Sequence, residues 1–161
     1  MNLLENMLIE AFRDEYGQAI IDLILGIQVG EFGVPVTIDD QPDLMDIAKF
    51  YKGFWLARAE DRVVGTIGLI QFGEHLGALR KMFVDADFRG KNKGIAVALL
   101  KRLIEESKVM GIQALYLGTV DAFKAAHRFY EREGFKEIEA AELPADFPRM
   151  PIDTKFYQLN L

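Results

Sequence analysis

The chain has 161 residues, no cysteine, and 19 Lys and Arg against 25 Asp and Glu, for a formal net charge of −6. This length suits a single domain spanning 1–161 around one core, and a half-hydrophobic composition excludes a disordered chain. The missing cysteine excludes disulfides, thiolate metal sites and a Cys nucleophile, and the acidic balance argues against a nucleic-acid partner. His75 and His127 are too few for a multi-His site, so no metal is expected. "MNLLENMLIEAF" has no cationic region before its apolar part, and "AIIDLILGIQVG" is short and broken by Asp22. Neither a signal peptide nor a membrane span is expected, which leaves a cytoplasmic protein with no membrane partner.

Glu5–Arg13 reads as a first strand, with a short helix as the alternative. Ile20, Ile24 and Ile27 recur at helical spacing and predict a first helix. Asp39, Asp40 and Pro42 are start signals for a second helix, running to Tyr51. "FWLARAEDRVVGTIGLIQFG" is rich in aromatic and β-branched residues and turns at Glu60-Asp61, so it predicts a hairpin. "ALRKMFV" adds a third strand after the Gly73–Gly77 turn. Ile95, Leu99 and Leu103 then mark an amphipathic helix stopped by Gly111. Ile112–Val120 is a continuous apolar run, as in a strand covered on both faces. "AFKAAHRFYEREG" predicts another helix, and "FKEIEAAEL" and "TKFYQLNL" predict two closing strands around a proline-rich loop, "PADFPRMPID". The order implies a single α+β layer structure.

"FRGKNKGIAVALL" puts Arg89, Gly90, Lys91, Asn92, Lys93 and Gly94 directly before a helix. A helix N-terminus has unpaired N–H groups and a partial positive charge, and glycine lets an anion approach the backbone. The stretch is therefore either an anion cradle or an ordinary wet loop. A Walker loop does not fit: Gly90 to Gly94 is one residue short, and Ile95 stands where its lysine should be. The dinucleotide pattern G-x-G-x-x-G is absent.

"LRKMFVDADFRGKNKGIAVALL" followed by "LYLGTVDAFKAAHRFYEREGF" resembles the GNAT acyl-CoA N-acyltransferase superfamily. The matching pieces are Met82-Phe83-Val84, Arg89 to Ala96, Tyr116-Leu117, and Phe129-Tyr130 with Gly134-Phe135. The resemblance implies a mixed, mostly antiparallel central sheet of about seven strands with about four flanking helices. It also implies acetyl-CoA as co-substrate. The pantetheine arm would pair with Met82, Phe83 and Val84. Backbone N–H groups of Arg89, Gly90, Lys91, Asn92, Lys93, Gly94, Ile95 and Ala96 would hold the pyrophosphate. The loop is two residues longer than the usual form. Phe123 stands where many relatives carry a cofactor-contacting Asn.

Acyl transfer to an amine needs a base for the amine, donors for the oxyanion and a proton for the thiolate. Tyr130 reads from its helical face as a core aromatic; the resemblance implies instead the general acid at the CoA sulfur. The oxyanion would be held by a backbone N–H of Met82 or Phe83. Many relatives place a base Glu on the strand where this chain has Ala78. Glu74 and His75, in the preceding turn, are the substitute candidates, with Glu31 a third. The acceptor pocket should take Phe32, Phe147 and Met150 from its surrounding loops. The implied function is N-acetylation of a primary amine of a small molecule or peptide, with a homodimer left open. The alternative is a non-catalytic acyl-CoA-binding sensor.

Overall fold

The computed structural model describes residues 7–90 and 94–161. Its strands are β1 (Met7–Ala11), β2 (Gly53–Ala59), β3 (Arg62–Phe72), β4 (Leu76–Val84), β5 (Ala114–Thr119), β6 (Lys136–Ile138) and β7 (Lys155–Asn160). Its α-helices are α1 (Gly17–Leu25), α2 (Ile47–Phe50), α3 (Ile95–Val109) and α4 (Lys124–Arg132). The strands form one sheet in the order β1-β2-β3-β4-β5-β7-β6. Every pairing is antiparallel except β4 with β5. This is the mixed α+β architecture expected from the sequence. Glu5 and Asn6 of the expected first strand lie outside the described residues. No helix among the described residues is long and apolar enough to cross a membrane.

Alternation along the strands separates the two faces. Trp55, Ala57, Ile67 and Leu69 join α3 and α4 in the main core, with Leu99, Leu103 and Leu115 fully buried. Phe54 and Leu56, one residue out of phase, pack against Ile20 and Ile24 of α1 and Ile47 of α2. A third cluster, Phe72, Ala78, Phe147 and Phe156, shares Ile70 with the second and so lies on the same face. β5 is covered on both sides, which is why its sequence is continuously apolar.

Two elements differ from expectation. The second helix is not continuous. Residues Ile38–Asp40 and Pro42–Met45 form separate 3-10 turns before α2. Gln41 and Asp46 leave helical geometry, with φ, ψ of −131°, 63° and −151°, 67°. The breaks turn the side chains of Gln41 and Asp43 inward, where both are buried. The strand expected over "FKEIEAAEL" stops at Ile138, because the Glu139 N–H is captured by the Glu142 carboxylate at 2.7 Å in a 3-10 turn.

Gly68 marks a close approach: a Cβ there would lie 2.7 Å from Tyr51 Cε1 and 2.9 Å from Phe54 Cδ2. Both rings are buried. Gly68→Ala should therefore cost about 1–3 kcal/mol by overpacking. A urea-unfolding midpoint unchanged from the parent would show that the rings have room to move.

Candidate active site

β4 and β5 pair only at Leu76↔Ala114, Gly77↔Leu115 and Ala78↔Tyr116. Beyond Ala78 they part, and a cavity of about 560 Å3 opens between them. A bulge in β4 accompanies the parting. The β3 register changes between Thr66↔Phe83 and Gly68↔Arg80, so Ile67 faces both Lys81 and Met82. Lys81 takes a left-handed φ of 53°, unusual for a residue with a side chain. Bulges bend a strand and re-aim its side chains. Here Arg80, opposite Gly68, and Lys81 both reach the α1 face, where simple alternation would have split them.

Met82, Phe83 and Val84 line one wall of the cavity, and with Leu79 they form a strand edge with no β5 partner. The same cavity reaches Arg89, Gly90, Gly94 and Ala96 at the start of α3. Gly90 and Gly94 have φ of 117° and 68°, conformations that glycine adopts freely. Arg89 donates from Nε to the Val84 carbonyl at 2.8 Å and bidentately to Glu31, at 2.5 and 2.7 Å. That pairing holds the Glu31 carboxyl below its ordinary pKa. Phe123, just before α4, packs edge-on against Phe32 and Phe83, with ring centroids 5.0 and 5.9 Å away.

The other end of the cavity is polar and buried. Lys81 Nζ donates to Gln41 Oε1 and lies 3.8 Å from Asp43 Oδ2. Gln41 exchanges two hydrogen bonds with Gln28, at 2.9 and 3.0 Å, and Tyr51 donates its hydroxyl to Asp43. Burial pushes Lys81 down to about 8, against the pull of Asp43. Asp153 is buried with its carboxylate against Gly118, where a Cβ would meet Oδ2 at 2.4 Å. Burial raises its pKa, although the Met150 N–H at 3.3 Å and Arg80 oppose the shift. Tyr130 lines the same space at 5% exposure. Burial, and then Asp153, hold its hydroxyl well above an ordinary phenol.

A family model described as "Acetyltransferase (GNAT) family" matches residues 8–135. The chain belongs to that family. It is 36% identical to N-acetylaspartate synthetase of Danio rerio over 127 residues, covering 73% of this chain and 44% of that protein. It thus spans less than half the length of this curated relative. A solved acetyltransferase of the GNAT family from Staphylococcus aureus Mu50 superposes with a TM-score of 0.92 at 40% identity, over 96% of this chain and 99% of that one. The PaiA N-acetyltransferase of Thermoplasma acidophilum, solved in complex with coenzyme A, shares the fold, with a TM-score of 0.73 at 15% identity over 96% and 99%.

Within this GNAT chain the residues expected at the site are only partly brought together. Tyr130, Met82, Phe83, Val84, Arg89, Gly90, Gly94, Ala96 and Phe123 all border the cavity, as do Phe32, Phe147 and Met150. Ile95 borders it only through its chain neighbours, since its side chain is 1% exposed in the main core. Lys91, Asn92 and Lys93 lie outside the described residues. Glu74 and His75, the expected bases, do not border the cavity. Their turn sits at the opposite end of β4, where the His75 carbonyl accepts from Gln113 before β5. At a strand rise of roughly 3.3 Å per residue, Glu74 is on the order of 20 Å from Lys81. Their side chains are 93% and 55% exposed. Arg80, Lys81, Asp43 and Asp153 were not singled out from the sequence. The only signal for them was charge in segments that otherwise read as strand, helix and loop.

Lys81 also makes stability depend on pH. With its folded pKa near 8, below the ordinary 10.5, the unfolded chain holds more protons between those values. Stability should therefore rise with pH across that window, and below about pH 8 the fold carries the full cost of the buried ammonium. The drop from 10.5 to about 8 corresponds to on the order of 3 kcal/mol. Urea unfolding of the parent and of Lys81→Met should show the difference between them moving in the parent's favour from pH 8 to 10.5. A constant difference would mean that Lys81 titrates normally.

Proposed function

We propose that residues 1–161 work as one acetyl-CoA-dependent N-acetyltransferase domain, passing the acetyl group directly to a primary amine of a small molecule or peptide. The observation that carries this reading is one continuous cavity. It joins the glycine-led start of α3 and the unpaired β4 edge to Tyr130, Arg80 and Asp153. An unpaired strand edge suits the amide-bearing pantetheine arm, which Met82, Phe83 and Val84 would pair with. The N–H groups from Arg89 to Ala96 suit a pyrophosphate at a helix N-terminus. The coenzyme A complex of the Thermoplasma protein, with the same fold, is in keeping with this use of the cleft.

Asp153 takes the proton of the incoming amine, a role its raised pKa favours over an ordinary carboxylate. The amine attacks the thioester carbon, and the oxyanion is met by a backbone N–H of Met82 or Phe83, beside the bulge. As the C–S bond breaks, Tyr130 gives its proton to the thiolate. The ammonium's first proton goes to Asp153 and on to solvent; its second, lost as the tetrahedral intermediate collapses, returns to the Tyr130 oxygen and restores the phenol. Burial keeps Tyr130 protonated at any pH where the enzyme works, so it donates without further tuning.

Tyr130→Phe should lower kcat by ~10²-fold or more while CoA still raises the melting temperature as in the parent. An unchanged kcat removes Tyr130 from the chemistry. Thiol release is the assay. Tight CoA binding with no release from any amine would instead favour a non-catalytic acyl-CoA sensor.

A further inference from the structure

The acceptor end of the cavity holds opposite charges that do not neutralise each other. Arg80 and Asp153 both border it, with Met150 between them. The Met150 sulfur accepts from Arg80 Nη2, while the Met150 N–H donates to Asp153 Oδ2. Arg80 is near enough to pull the Asp153 pKa down, yet no ion pair joins the two groups. Among the described residues no carboxylate pairs with Arg80 at all. Its neighbour Lys81 is matched by Asp43 and Gln41, and Arg89 by Glu31. A half-buried guanidinium whose hydrogen-bond acceptor is a thioether keeps its planar fork for a stronger one, because sulfur accepts weakly.

We infer that the acceptor is a free α-amino acid bound as the zwitterion, its carboxylate on Arg80 and its ammonium at Asp153. This rests on the acetyltransferase reading above and names the substrate class for the same site. A simple amine brings one positive charge to a site that already holds Arg80 and Lys81, and a polyamine brings several. Either leaves the Arg80 charge unmatched in a partly desolvated place, which is costly. A peptide N-terminus supplies the ammonium but has an amide where Arg80 needs a carboxylate. Of these acceptors the amino acid matches both groups at once, and Arg is the side chain whose geometry suits a carboxylate.

The test compares free acids with their α-carboxamides, which have nearly the same shape but lack the negative charge. Thiol release from acetyl-CoA is followed with L-methionine, L-phenylalanine and L-aspartate, each beside its α-amide. The amide's amine loses its proton more readily, so basicity favours the amide and cannot produce a preference for the acid. Losing a charge-assisted hydrogen bond predicts that kcat/KM for a free acid exceeds that of its amide by about tenfold or more. Amides turned over as well as or better than every acid overturn the inference and leave the transferase reading in place. Turnover of 2-phenylethylamine or spermidine with none of the six also overturns it alone. No release from any amine overturns the transferase reading as well. In Arg80→Met the acid-to-amide ratio should fall towards one, and Arg80→Lys should recover part of it. CoA-induced thermal stabilisation reports that both variants are folded. A ratio unmoved in Arg80→Met assigns the carboxylate elsewhere and overturns the inference.

Discussion

Lys81 has a side chain only 6% exposed, where an unpaired ammonium would cost several kcal/mol. Its burial follows from the β4 bulge. An extra residue in the strand turns the side chain to the α1 face, under the loop that follows α1. That position demands partners, and Asp43 and Gln41 provide them. Both come from a segment whose charge and proline pattern would otherwise favour one continuous helix. Breaking it into short turns lets Gln41 and Asp43 point inward together, with Gln28 and Tyr51 completing the hydrogen bonds. Buried polar groups are tolerable when the network is satisfied, and this one is.

The same bulge lies where β4 has parted from β5, at the opening in the sheet. The parallel pair keeps only its first rungs. After them the two strands diverge, and the cavity passes between the main core on one face and the two smaller clusters on the other. Tyr130 reaches the cavity from the α4 side. Arg80 and Lys81 reach it from the α1 side. A donor and an acceptor entering from different faces could therefore meet at the gap in the sheet, which is the arrangement that direct transfer requires.

Much of this was legible in the sequence. The aromatic and β-branched residues of "FWLARAEDRVVGTIGLIQFG" and its Glu60-Asp61 turn pointed to the hairpin, the apolar run Ile112–Val120 to the doubly covered strand, and the glycines around Arg89 to the helix entrance. These are local patterns, and local physics sets them. The acceptor end was not legible, for a specific reason. A bulge with a left-handed residue is usually signalled by glycine, and here Lys81 occupies it. Without that signal "LRKMFV" reads as a regular strand with Arg80 and Lys81 on opposite faces. Asp153 was hidden differently. It lies in a proline-rich loop, and only the fold brings that loop against Gly118. Glu74 and His75 looked suitable because they adjoin β4 in sequence, but they adjoin its wrong end.

Glu31 shows why closeness to the cleft does not make a base. Its carboxylate is held by both arms of Arg89, which also grips the Val84 carbonyl. With both side chains about a third exposed, the ion pair alone is worth at most about 1 kcal/mol. Phe32 against Phe123, and Phe123 against Phe83, add aromatic contacts beside this ion pair. Protonating Glu31 would give up the Arg89 pairing that lowers its pKa, so it is a poor proton acceptor. Asp153 is in the reverse position. It is buried, its pKa is raised, and its backbone donor is a single N–H at 3.3 Å. A proton costs Asp153 little and Glu31 much. That difference moves the proposed base from the strand, where Ala78 stands, to the loop before β7.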